Sequence, residues 1–310
     1  MSRIAVVAFN LGGPDRPESV RPFLFNLFND PMILRLPALL RWLLAKFLAA
    51  RRARVAAVNY ARIGGGSPIL AETKKQADAL QAALGSDLRV FVAMRYWHPM
   101  ADAVARDVRA YAPDKVVLLS LYPQFSTTTT ESFLRVWRRA RVDLPTAIIR
   151  DYPDEPGFIA ALVRLTRAGI AEAEKHGRPR VLFSAHGLPK KIAASDPYQS
   201  HVERTVAAVL RALGAGAPDH VICYQSRVGP LEWIKPYTED EIRRAGRDRV
   251  PLVVVPVAFV SEHSETLVEL DMDYRELAAR TGAPAYVRVP TVGTAPEFIA
   301  GLARLVKAAT

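Results

Sequence analysis

Three segments from the first half of this chain recur, in the same order, in its second half. IAVVAFNLGGP (4–14) is paralleled by RVLFSAHGLP (180–189), and VFVAMRYWHP (90–99) by VICYQSRVGP (221–230). VVLLSLYPQFSTTTTES (116–132) is paralleled by LVVVPVAFVSEHSET (252–266). Each segment opens as a short β-branched run and ends in polar or aromatic residues at the same relative place. A repeat on this scale is one structural unit used twice. Helical stretches separate the runs, which predicts α/β units with parallel sheets. Strands are predicted over 4–9, 90–94, 115–120, 146–150, 180–184, 220–224, 252–257 and 285–289. The expected architecture is two similar Rossmann-like domains, each a four-stranded parallel sheet flanked by helices, with an active-site cleft between them. The boundary is expected at DYPDEP (151–156): an N-terminal domain over 1–151 and a C-terminal domain over 152–310. The last helix is expected to pack back on the first domain.

Parallel sheets of this kind bind ligands at the carboxyl ends of their strands. Asn10, Arg95, Tyr96, Gln124, His186, Gln225, Ser226 and Glu265 all follow predicted strand ends. A dinucleotide or P-loop site does not fit. Gly12-Gly13 lacks the G-x-G-x-x-G spacing and runs straight into proline, and IGGGSP (63–68) has neither a preceding strand nor a following lysine. Those glycines read instead as a tight turn presenting Ser67.

The single cysteine, Cys223, excludes a disulfide framework and a cysteine-ligated cluster, and it reads as a small buried hydrophobe. The start, MSRIAVVAFN, carries no signal-peptide pattern, and the longest uncharged apolar run is too short and proline-broken to span a bilayer. A cytoplasmic location is expected. The net charge of +11 calls for an anionic partner. Between Pro31 and Ala71 there is no acid, yet Arg35, Arg41, Lys46, Arg51, Arg52, Arg54 and Arg62 fall there among leucines, Trp42 and Phe47. Residues 31–54 thus read either as a lip for an anionic membrane surface or as a core helix with basic ends. Nucleic acid is not expected, because its sites need polar basic faces rather than leucine-rich ones.

His186 stands where a strand ends and the chain must turn, as a turn residue or as an acid/base group over a pocket. Residues 261–276 supply carboxylates for it. At about 100° per residue, Glu262, Glu265, Glu269, Asp273 and Glu276 fall within an arc of roughly 80°. Such a stripe is either a solvated face or a ladder that draws a divalent cation into the site. H-x-E at His263 and Glu265 is not by itself a metal motif.

NLGGP (10–14), YARIGGGSPI (60–69), MRYWHP (94–99), YPQFSTTT (122–129), LFSAHGLP (182–189), DPY (196–198), YQSRVGPLEW (224–233) and VAFVSEHSETLVELD (257–271) together resemble the ferrochelatase family, over nearly the whole chain. The resemblance implies a lyase that inserts Fe(2+) into protoporphyrin IX to complete haem. It implies His186 as the acid/base histidine and Glu265 as its partner. His186, Glu265, Glu269 and Asp273 become the metal-contacting set, although the last is glutamate in some relatives. Leu11, Tyr60, Arg95, Tyr96, Tyr198 and Trp233 are implied to face the porphyrin, and His263 to lie near the site. Arg51, Arg52, Ser67 and Ser226 are implied to hold propionates. Ferrous iron is then a substrate, and neither a permanently bound cofactor nor an iron–sulfur cluster is expected, since the family's cluster needs cysteines absent here. A porphyrin that partitions into membrane favours the lip and a peripheral place on the inner membrane, with the preceding porphyrinogen oxidase as a partner. The alternatives are a coproporphyrin-inserting enzyme and a non-catalytic porphyrin or haem carrier.

Overall fold

The computed structural model describes residues 3–214 and 218–310. Strands β1 (Ile4–Asn10), β2 (Leu88–Met94), β3 (Lys115–Ser120) and β4 (Thr146–Ile149) pair in parallel in the order β2-β1-β3-β4. Strands β5 (Arg180–His186), β6 (Asp219–Gln225), β7 (Leu252–Pro256) and β8 (Tyr286–Arg288) pair in parallel in the order β6-β5-β7-β8. The two sheets share one topology, as the sequence repeat requires. The chain divides into two compact units, Met1–Asp151 with Leu302–Thr310, and Tyr152–Gly301.

In the first unit the helices are α1 (Val20–Phe28), α2 (Ala38–Ala61), α3 (Ile69–Leu84), α4 (Ala101–Tyr111) and α5 (Ser132–Arg139). The second contains α6 (Pro156–Ala173), α7 (Lys190–Ala193), α8 (Tyr198–Leu213), α9 (Thr238–Asp248) and α10 (Tyr274–Thr281), and α11 (Pro296–Ala309) closes the chain. The inner strands β1 and β7 are buried at every residue, which explains their unbroken apolar runs. In the first unit, Phe9 of β1 stacks on Phe133 of α5 with ring centroids 4.1 Å apart. In the second, Leu182, Cys223 and Val254 pack against Ile242, Leu270 and Tyr274. Burial pushes the Cys223 thiol up to about 12, so it is an inert core residue, as expected.

Two elements depart from the helical period assumed for the sequence. β3 and β7 each lead into a π-helix, π1 (Thr127–Glu131) and π2 (Glu265–Asp273). Its i→i+5 bonding makes the turn wider than that of an α-helix, and such turns are frequent at functional sites. Neighbours four apart stay on one file, so Glu265, Glu269 and Asp273 remain in line. The carboxylate stripe does not extend beyond them. Glu262 turns away to Arg288 Nη1 at 2.6 Å and the Thr291 amide at 3.0 Å. Glu276 pairs with Arg280 at 3.4 Å on the surface.

α2 turns Ala49 and Tyr60 toward Phe23 and Leu24 of α1, while Leu39 (69 % exposed), Leu43 (51 %) and Phe47 (58 %) lie open. The core-helix reading of that face is therefore not realised. Among the described residues no helix is long and apolar enough to cross a membrane.

Candidate active site

His186 is the last residue of β5, and its Nδ1 lies 3.0 Å from Glu265 Oε2 at the start of π2. The sequence after it explains how the ring is carried. A Cβ on Gly187 would sit 2.9 Å from the Gln225 carbonyl and 3.1 Å from the Trp233 ring, so only glycine admits this approach. Trp233 then meets the His186 imidazole edge-on, with centroids 6.2 Å apart. The Trp233 Nε1 donates to the Val228 carbonyl at 3.1 Å, which fixes the indole. Asp196 accepts from the Tyr198 amide at 3.0 Å at the head of α8, where Tyr198 is buried.

Glu265 has a second histidine beside it. His263 Nε2 lies 3.7 Å from the same Oε2, and its Nδ1 bonds the Ser261 carbonyl at 3.1 Å. The charges divide accordingly. Burial alone would push His186 down, but the charge and hydrogen bond of Glu265, helped by Glu269, hold it above its usual 6.5. Burial alone would raise Glu265, and the two histidines reverse this and hold it well below the carboxylate range. Glu269 goes the other way: burial and the neighbouring Glu265 charge raise it, against hydrogen bonds from Ser226 and Tyr274. Two carboxylates four residues apart are thereby set for different work, one anionic and one that holds its proton more tightly.

The Glu269 carboxylate is fully engaged. It accepts from the Ser226 amide at 2.9 Å, the Ser226 hydroxyl, Gln225 Nε2 at 3.3 Å and the Tyr274 hydroxyl at 3.0 Å. Ser226 reaches it from a left-handed backbone (φ 64°), a conformation uncommon for non-glycine residues. A cavity of about 140 Å³ borders Gln225, Ser226 and Tyr274. The amide and hydroxyl of Ser226 thus both hold Glu269.

Among the described residues no three His, Cys, Asp or Glu side chains are gathered to hold a metal ion. Glu269 is turned onto Ser226 and Tyr274, while Glu265 is turned onto the histidines. Asp273 ends π2, half-buried, one step further along the file.

The other expected residues lie in the first unit. Leu11 packs at the edge of the α1–α2 cluster, and Tyr60 is buried within it. Arg51 and Arg52 are exposed on α2, with the Arg52 guanidinium 6.0 Å from the Phe28 ring. The Ser67 amide donates to the Pro14 carbonyl at 2.7 Å, and its side chain presses on Gly13, where a Cβ would lie 2.5 Å from it. Arg95 and Tyr96 both bond Asp30 Oδ2 at 2.7 Å, and Tyr96 is 0 % exposed. Asp30, which the sequence reading passed over, also accepts from Ser132 and from the Met32 amide at 2.8 Å. Its one sequence signal was its place as the last acid before an acid-free run of some forty residues.

A family profile described as Ferrochelatase matches residues 3–310. A Caulobacter vibrioides (strain NA1000 / CB15N) protein named ferrochelatase is 54 % identical over 315 residues, covering 98 % of this chain and 90 % of that protein. One from Wolbachia sp. subsp. Drosophila simulans (strain wRi) is 49 % identical over 310 residues, covering 97 % and 98 %. Among solved structures, the sirohydrochlorin chelatase SirB from Bacillus subtilis subspecies spizizenii has a TM-score of 0.55 at 11 % identity, covering 99 % of this chain and 95 % of that one. CbiX, described as the terminal enzyme for biosynthesis of siroheme in denitrifying bacteria, has a TM-score of 0.52 at 18 % identity, covering 99 % of each. At such identities these structures speak for the fold alone.

Proposed function

This chain belongs to the ferrochelatase family, and on that premise we propose that it inserts ferrous iron into protoporphyrin IX and that His186 with Glu265 takes up the displaced protons. Iron insertion into a porphyrin for haem synthesis is the activity that family membership carries. The observation that supports the finer reading is the hydrogen bond of 3.0 Å between His186 Nδ1 and Glu265 Oε2 at a strand end.

Metal insertion replaces two pyrrole N–H protons by one Fe²⁺, so two protons leave for every ion that enters. With Nδ1 committed to Glu265, Nε2 of His186 is the acceptor turned outward. Proton uptake there makes an imidazolium beside a carboxylate that stays anionic, and the ion pair stabilises the state formed as the bond breaks. Trp233, edge-on to the imidazole, keeps the ring from rotating out of this orientation. Glu269 and Asp273 continue the file along π2 as carboxylates for the incoming ion. The exposed leucines and cations of α2 suit a substrate that resides in membrane.

The test of substrate is a comparison of Fe²⁺-dependent turnover on protoporphyrin IX and on a coproporphyrin. A kcat/KM that favours protoporphyrin by at least about tenfold supports the proposal; preference for the four-carboxylate porphyrin overturns it.

A further inference from the structure

α5 carries Arg135 and Arg139 one turn apart, and among the described residues neither has a carboxylate partner. Like charges at i and i+4 repel one another. The dipole at a helix C-terminus accounts for a cation at Arg139, as it does for Arg138, which pairs with Glu131 at 2.6 Å. It does not account for Arg135 in mid-helix. Arg41 of α2 is held by two carbonyls, Asn29 at 3.0 Å and Leu36 at 2.8 Å, which fix the guanidinium without cancelling its charge.

These three arginines and Arg95 line one cavity of about 420 Å³ in the first unit. The Arg95 charge is already answered by Asp30 at 2.7 Å. The one acid in the wall, Asp102, lies 3.6 Å from Arg106. Three guanidiniums without acids therefore border a single hollow.

We propose that this hollow is a binding site for a small organic phosphate. Guanidinium forks match tetrahedral oxyanions, and the forks of Arg135 and Arg139 with the remaining donors of Arg41 need more acceptor oxygens than a carboxylate offers. A phosphate monoester presents three, with a charge of about −1.5 to −2 near neutral pH. Pro31, Met100 and Val136 give an apolar wall for the organic part, and the volume leaves room beyond the phosphate itself. At about 100° per residue, Leu39, Leu43 and Phe47 lie roughly 160–240° around α2 from Arg41. The site is thus separate from the exposed apolar ridge and does not depend on its docking.

The experiment is calorimetric titration of glycerol 3-phosphate into the full-length chain in phosphate-free, low-salt buffer, with glycerol as the blank. Saturable binding is expected, weakened at least ~tenfold in Arg135→Gln/Arg139→Gln. The melting temperature without ligand and the rate of iron insertion should stay at wild-type values, because both side chains are exposed. If the double variant folds poorly, Arg135→Lys serves, since it keeps the charge, loses the fork and should give an intermediate affinity. Sedimentation with phosphatidate and phosphatidylcholine vesicles identifies the source of the phosphate. Loss of glycerol 3-phosphate binding in the variant assigns a soluble ester; binding confined to phosphatidate vesicles, and lost in the same variant, assigns a lipid headgroup. Equal affinity in wild type and double variant overturns the site, and so does succinate binding as tightly as glycerol 3-phosphate.

Discussion

His186 offers one ring nitrogen to Glu265 at 3.0 Å, and in the proposed reaction this contact leaves the other nitrogen to take a proton. His186→Ala should therefore leave porphyrin affinity near wild type, as read by fluorescence titration, while turnover falls at least ~10²-fold. Adding Glu265→Gln should make little further difference, because the two groups act as a unit. A folded His186→Ala protein that inserts iron at the wild-type rate would return His186 to the role of a turn residue. The pH profile gives a second reading. Since Glu265 holds His186 above 6.5, the rising limb of kcat/KM should lie above that pH in the wild type. In Glu265→Gln burial acts on the imidazole without its opposing charge, so the limb should move to lower pH. An unmoved limb would mean that another group controls it. The histidine was legible because strand-end positions can be read from an apolar run and its turn. The contact of Ser226 with Glu269 was not legible, because it joins the end of β6 to π2, a meeting that local pattern does not encode.

At the scale of elements, the strands were legible to within two residues, because burial on both faces writes itself as a continuous β-branched run. The π-helices were not, since a wider turn leaves the four-residue spacing of Glu265, Glu269 and Asp273 unchanged. Glu262 precedes π2 in the loop after β7, so the helical arc did not apply to it, and it pairs with Arg288 instead. If the file guides the ion, Glu269→Gln should raise KM for Fe²⁺ several-fold and leave porphyrin affinity unchanged; a rise in the porphyrin KM alone would place Glu269 elsewhere in the reaction. On α2, Arg51 and Arg52 stand exposed on the helix that bears the open leucines. Replacing both by glutamate should weaken binding to anionic vesicles and raise KM for protoporphyrin, most clearly at low salt. Vesicle binding unchanged at low salt would detach this helix from any membrane role.

At the scale of the whole molecule, the same side chains should be visible in stability, because a pKa displaced by folding makes stability depend on pH. Glu265 is depressed below 4.5, so its contribution is present above 4.5 and is lost as pH falls toward its folded value. His186 is raised above 6.5, so its contribution is complete below 6.5 and is lost as pH climbs through its folded value. The pair therefore stabilises most between pH 4.5 and 6.5. Glu269 has the opposite sense. Raised above 4.5, it favours the folded state at low pH and opposes it as it ionises. Melting temperatures across pH 4 to 9 should then separate the variants. Glu265→Gln should lose most relative to wild type inside the 4.5–6.5 window, and the gap should narrow on either side. Glu269→Gln should match wild type in acid and melt higher at neutral and alkaline pH, while inserting iron less well. A site that weakens the fold in its working state in this way trades stability for function. If Glu269→Gln melts below wild type at every pH, the hydrogen bonds from Ser226 and Tyr274 outweigh the ionisation penalty, and Glu269 is a structural anchor of π2.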